Sequence, residues 1–152
     1  MKPLLIGEAS NLPSGEVFGG RSGERLALLC GMTLERFLES FERVNLLDRW
    51  PGRSGGAKGH LFDREEARRS ADRLDLRGRI AVLAGLRVAS AFGLRRVEFL
   101  KRTCLGRGES GIWVVPHPSG IVRWYNEESN GRRVGNLLRR LLKLCAASSV
   151  RS

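Results

Sequence analysis

The feature that most constrains this chain is a set of short apolar runs that do not alternate. Residues 4–6, 80–84 and 111–115 read Leu-Leu-Ile, Ile-Ala-Val-Leu-Ala and Gly-Ile-Trp-Val-Val, and residues 43–47 add a fourth candidate, Arg-Val-Asn-Leu-Leu. A strand with one wet face alternates apolar with polar residues; a strand covered on both faces does not. Between the runs lie helical patterns at 24–31, 33–38, 63–74, 86–92, 95–102 and 131–146. Thr33 stands where a helix cap belongs, and Asp63 followed by Glu66 has the spacing of a capping box. Strands separated by helices predict an α/β fold with a four-stranded parallel sheet covered on both faces. The chain has 152 residues and no internal repeat, so one compact domain over 1–152 is expected. A domain of that size buries roughly 68–70% of its unfolded surface.

Several classes fall away. No apolar run approaches the ~18 residues of a membrane span, and the opening run of three is too short for a signal peptide. Cys30, Cys104 and Cys145 are odd in number and far apart, which argues against a disulfide framework or a CxxC metal knuckle. A reducing, cytoplasmic setting follows. The 27 Lys+Arg against 16 Asp+Glu give a net charge of +11, which points to a polyanionic partner, foremost nucleic acid. Of the basic residues 23 are Arg and 4 are Lys. Arg forks onto phosphate, although an Arg-biased codon usage produces the same count.

In open α/β sheets ligands bind beyond the carboxyl ends of the strands. That rule selects residues 7–10, 45–50, 85–86 and 116–119. Glu8 directly follows the first run, and a carboxylate there can orient water or stabilise a developing cation; an N-cap is the plainer reading. His117 stands between Pro116 and Pro118, which restrict the backbone and fix the imidazole's direction. A fixed neutral imidazole donates one hydrogen bond to a developing oxyanion. Asn45 sits in an apolar run, where an amide must be bonded; it suits either the edge of a nucleobase or a tie between loops. Phe18, flanked by glycines, fits either stacking on a flat ligand or plain core packing. Arg21 and Ser22 precede a helix and suit a phosphate at its N-terminus. The Gly-rich stretch 51–60 fails as a Walker motif, because Ala57 replaces its second Gly and Gly59 follows Lys58. Arg53 and Lys58 instead suit a DNA backbone. With His60 and His117 the only histidines, and no HxE…CxxC or G-x-S-x-G pattern, neither a metal nor a cofactor is expected.

Taken in order, LLIGEAS, FGGRSGERL, VNLLDRWPG, IAVLAGLRVASAFG and VVPHPSGIVRW resemble the motifs of the uracil-DNA glycosylase superfamily, in its GEAPG/HPS-motif bacterial and archaeal branches. The resemblance covers most of the chain. It implies a three-layer α/β/α sandwich and hydrolysis of the N-glycosidic bond of a flipped uracil or modified pyrimidine in DNA. Glu8 matches the motif-one carboxylate that activates or positions water. Phe18 matches the residue that stacks on the flipped base, and Ser10 stands in the same base-binding motif, where the family has Pro. Asn45 matches the amide that reads the base's pairing edge. His117 matches the imidazole that bonds the departing base. Ser119, Ile121, Val122 and Arg123 follow as DNA contacts, the wedge among them. Three cysteines cannot supply the four thiolates of the cluster-bearing branches. The chain begins almost at its first strand, so the family's N-terminal helical segment is missing. No Tyr stands near motif one; the only Tyr is Tyr125.

The expectation is a monomeric, monofunctional DNA glycosylase of base-excision repair type. Two alternatives stand beside it. One is a protein that recognises a base in DNA without turnover. The other is covalent trapping of DNA through His60, since one branch uses a His in a basic loop of comparable position.

Overall fold

The apolar runs become four parallel strands at the centre of the molecule. The computed structural model describes residues 1–50 and 62–149; Arg53, Lys58 and His60 lie outside the described residues. The elements run β1 (Leu4–Gly7), α1 (Arg21–Leu29), α2 (Leu34–Ser40), β2 (Glu42–Asn45), α3 (Arg64–Arg73), β3 (Ile80–Ala84), α4 (Leu86–Ala91), β4 (Arg102–Thr103), β5 (Gly111–Val115), a 3-10 turn (Arg123–Asn126) and α5 (Glu128–Ser149). The strand order is β2-β1-β3-β5-β4. The pairs β1/β2, β1/β3 and β3/β5 are parallel, and β4 runs antiparallel to β5.

The sheet therefore has five strands and is mixed, a correction to the four-stranded parallel expectation. The added edge strand is also why no helix forms over 95–102. Gly93, with φ 84, ends α4, and the Leu94 amide closes back on the Ala89 carbonyl. Leu100 then takes a left-handed φ of 67, which no helix interior accepts, and its N–H donates to the Val114 carbonyl. The segment is drawn onto the sheet edge, and Arg102 and Thr103 pair with Trp113 and Ile112. Elsewhere local signals and structure agree. Thr33 accepts from the Arg36 amide at 3.3 Å, and Asp63 from the Glu66 amide at 2.9 Å.

Two apolar clusters sit on the two faces of the sheet. Leu4, Ile6, Ala81, Leu83, Ile112 and Val114 meet Ala67 and Ala71 of α3 and Val88 and Ala89 of α4. Leu5, Val82, Ala84, Trp113 and Val115 meet Leu26 of α1, Phe37 of α2 and Val134, Leu138 and Leu141 of α5. This double covering explains the unbroken apolar runs of β1, β3 and β5, whereas β2 at the edge is only half-buried. Each fully buried Leu or Ile contributes on the order of 1.5–3 kcal/mol. No helix of the described residues is long and apolar enough to cross a membrane.

Close approach between α1 and α5 rests on two glycines. A Cβ at Gly135 would overlap the Leu29 carbonyl oxygen, while one at Gly131 would meet only the end of the Leu29 side chain. Ala normally gains ~1 kcal/mol over Gly inside a helix, whereas overpacking costs ~1–3 kcal/mol. Gly131→Ala is therefore expected to be neutral or stabilising and Gly135→Ala destabilising, by chemical denaturation. Equal effects of the two would refute the packing account.

Cys30 and Cys145 are buried and Cys104 is exposed, and none of the three is in a disulfide. Burial pushes the Cys30 thiol up to about 11, against the opposing pull of Arg139. A folded-state value above the unfolded one gives stability that is fully present below about pH 9 and is lost as pH rises through about 11. Unfolding free energy should thus fall more steeply between those values in the wild type than in Cys30→Ala; parallel curves would show that the thiol does not titrate as described.

Candidate functional site

Strand β1 pairs with β2 on one side and β3 on the other, so the connections leave it in opposite directions. Such a switch point opens a crevice beyond the carboxyl ends of the strands. Glu8 follows β1 there, Asn45 ends β2, Gly85 follows β3, and His117 lies two residues beyond β5.

Register brings the first group together. Gly7 lies opposite Asn45, and the pairing continues with the Leu46 and Leu47 amides donating to the Gly7 and Glu8 carbonyls at 3.0 and 2.9 Å. A Cβ at Gly7 would stand 2.5 Å from Asn45 Oδ1 and 2.9 Å from Phe18 Cζ. The missing side chain thus lets an aromatic ring and an amide converge over one backbone position. Phe18 holds a left-handed φ of 58, a conformation that costs on the order of 1–3 kcal/mol outside glycine. Its neighbours hold it there. Arg43 donates to the Val17 carbonyl at 2.7 Å, and the Phe18 carbonyl occupies the space that a Cβ at Gly23 would need.

The His117 loop is fixed from three elements. Arg25 of α1 donates to the Ser119 carbonyl at 2.8 Å, and Tyr125 of the 3-10 turn donates to the Pro116 carbonyl at 2.8 Å. At the end of β3 the Gly85 amide donates to the Val115 carbonyl at 2.9 Å. The Arg25 guanidinium also lies over the Tyr125 ring, 5.2 Å from its centroid. Burial raises the Tyr125 phenol above its ordinary range, with Arg25 pulling the other way, so the hydroxyl keeps its proton to donate. Gly85, at φ 110, adopts a backbone that side chains disfavour, and a Cβ there would press on His117 Cβ at 3.2 Å. Within the loop the Ser119 amide donates to His117 Nδ1 at 3.2 Å. A ring nitrogen that accepts carries no proton, so the neutral imidazole holds its hydrogen on Nε2.

Glu8 is 7% exposed, the one buried charged residue among those described. A buried carboxylate needs a partner, and Arg87 of α4 places a guanidinium nitrogen 3.6 Å from Glu8 Oε2. The same guanidinium lies over the Phe62 ring at 5.7 Å. A cavity of about 180 Å³ adjoins Asn45, lined also by Val44, Ser70, Arg73 and Leu74. Among the described residues no three His, Cys, Asp or Glu side chains gather as a metal site requires.

The remaining residues divide. The Ser10 hydroxyl builds its own loop, donating to the Glu16 carbonyl at 2.9 Å and accepting from the Leu12 amide at 3.2 Å. Arg21 is exposed and Ser22 half-buried in the first turn of α1. Ser119 and Val122 are half-buried; Arg123 is exposed, and Ile121 is 87% exposed at the tip of the loop. Three contributors are not evident from local sequence: Arg25, Arg87 and Tyr125. Arg87 stands one residue past the strand-end pair 85–86, and Arg25 looks like any basic residue of an amphipathic helix.

Tyr125→Phe should cost about 1 kcal/mol, and Arg25→Ala about 1–3 kcal/mol because its donor is charged. Both should speed hydrogen exchange of the Ser119 amide, measured by NMR; unchanged exchange in both would show that these residues do not hold the loop. In comparison with known proteins, the chain matches no family model, and a search of the curated proteins finds no match.

Proposed function

We propose that this protein is a DNA glycosylase that hydrolyses the N-glycosidic bond of a flipped uracil or modified pyrimidine. The observation that carries the reading is the shared location of Glu8, Phe18, Asn45 and His117 at the carboxyl end of the sheet, with His117 Nδ1 occupied by the Ser119 amide. The remaining Nε2–H is then a donor of fixed direction. In this reading the fold is a three-layer α/β/α sandwich of the glycosylase kind, with β4 as an added edge. The protein works as a monomer in the cytoplasm.

Cleavage of a glycosidic bond develops positive charge on the sugar and negative charge on the leaving base. Glu8 stabilises the sugar and positions the attacking water. His117 Nε2–H bonds the base as it becomes an anion, a contribution that strengthens as charge develops. The Phe18 ring supplies a stacking face and the Asn45 amide reads the pairing edge. Flipping costs a few kcal/mol, offset by that stacking and by an apolar wedge, for which the exposed Ile121 side chain is placed.

A second reading, base recognition without turnover, draws support from the Arg87 contact, because a guanidinium on the Glu8 carboxylate opposes its use toward water. Covalent trapping through His60 concerns a residue outside those described. The three are separated by incubating the protein with oligonucleotides bearing uracil, 5-hydroxymethyluracil, mismatched thymine or deaminated purines, then cleaving with alkali. Base release is expected, falling by about 10²–10³ in kcat for His117→Ala and by at least about 10² for Glu8→Gln. Undiminished release in either variant would overturn the assignment of that residue. Salt-sensitive binding with no abasic product from any substrate would establish the second reading, and a denaturant-resistant adduct lost in His60→Ala the third.

A further inference from the structure

Some cations of this protein are held in ion pairs. Arg69, Arg77, Arg79, Lys101 and Arg107 pair with Glu65, Asp75, Glu42, Glu98 and Asp72. What sets α5 apart is that its acidic residues end in its first turn. Arg132 pairs with Glu128, and no acidic residue follows Glu128 to the end of the sequence. Arg139 turns inward, donating to the Leu29 carbonyl at 3.1 Å and to Asn136 Oδ1 at 2.5 Å. Among the described residues, Arg133, Arg140 and Lys143 have no carboxylate within ion-pair range.

These three cations share one face with Asn136, at helical positions separated by three, four and three residues. The row spans ~15 Å of helix. Beside it opens a cavity of about 330 Å³, lined by Leu100, Arg133, Asn136, Leu137 and Arg140. Its polar lining is made of donors. The guanidiniums only donate, and Asn136 has its carbonyl oxygen engaged by Arg139, which leaves its amide N–H groups for the opening. A lining of donors on an apolar floor suits an anion with an apolar flank and repels a cation. The cavity also connects to the candidate site. Leu100 adjoins Phe99, whose ring meets Trp124 at 6.1 Å; Trp124 meets Tyr125, which holds the His117 loop.

From this geometry we infer that the α5 face is a second nucleic-acid contact, where Arg133, Asn136 and Arg140 seat a phosphodiester and Lys143 extends the track. The inference rests on the nucleic-acid partner of the proposed function and is independent of base release. An anionic lipid surface offers phosphates too, but an interfacial helix needs a free apolar face. Here that face, Val134, Leu137, Leu138 and Leu141, is buried in the core.

The test is binding of the full chain to an undamaged DNA duplex, by fluorescence anisotropy across a salt series. Each phosphate contact contributes ~0.9 to the slope of log K against log salt. Arg133→Gln combined with Arg140→Gln should lower that slope by about 2 and weaken binding by about tenfold or more at low salt. The corresponding double Lys variant should keep most of the slope. Arg69→Ala and Arg77→Ala, which remove paired cations, should leave it unchanged. An unchanged slope in the Gln variant overturns the inference. So does binding to phosphatidylserine vesicles that the Gln variant loses while its duplex affinity stays the same. A lowered slope in a protein that releases no base upholds the track and fails only the glycosylase reading.

Discussion

The structure depends on β1 being hydrogen-bonded on both sides. Its partners β2 and β3 lie in opposite directions along the sheet, and its own side chains enter both cores, Leu4 and Ile6 on one face and Leu5 on the other. A strand so placed cannot slip by one residue without exchanging the contents of the two cores. Its register therefore also fixes what stands beyond its end. Gly7 is held opposite Asn45, and Glu8 follows directly beyond the carboxyl end of the strand. The position of the candidate site is thus a consequence of core packing rather than of its own contacts.

Most of that frame was legible in the sequence, because unbroken apolar runs have one physical explanation in a domain of this size. The four parallel strands, the two side-chain caps and the apolar stripe of α5 follow from periodicity and cap chemistry alone. What escaped was non-local. A helix over 95–102 was the reasonable reading of Arg95 to Arg102, yet Leu100 is turned left-handed by the free Val114 carbonyl on the sheet edge. No property of the segment itself announces that acceptor. Among the candidate site residues, the strand-end positions of Glu8, Asn45 and His117 were legible because strand ends are visible. Arg25 and Arg87 were not, since their significance is only the carbonyl or carboxylate they reach across the fold. Ser10 shows the reverse case: a residue in a suggestive motif whose hydroxyl is engaged in shaping its own loop.

Glycines and strain account for the shape of the site. Phe18 and Gly85 both hold positive φ, and each places a candidate functional side chain, the Phe18 ring itself in one case and His117 in the other. The left-handed turn at Phe18 aims its ring over Gly7, where only a glycine leaves room. The turn at Gly85 opens space for the His117 Cβ. Such conformations persist only where surrounding structure over-determines them. Here the hold is visible as Arg43 on the Val17 carbonyl and the close fit of Gly23 against Phe18.

The same logic governs charge. A neutral imidazole that donates from Nε2 requires a fixed backbone, not a nearby ion, and its fixing groups come from α1, the 3-10 turn and the end of β3. These elements lie at sequence separations of up to 94 residues. The orientation of His117 is therefore a property of the whole fold. Positive charge has the complementary arrangement. Arg69, Arg79, Lys101 and Arg107 are held in ion pairs, whereas among the described residues Arg133, Arg140 and Lys143 on the outer face of α5 have no carboxylate partner. A polyanion drawn to that face would be held by long, exposed side chains while the groups at the crevice stay in place. In the proposed function, attraction and base recognition fall to different residues, so a change in one need not alter the other.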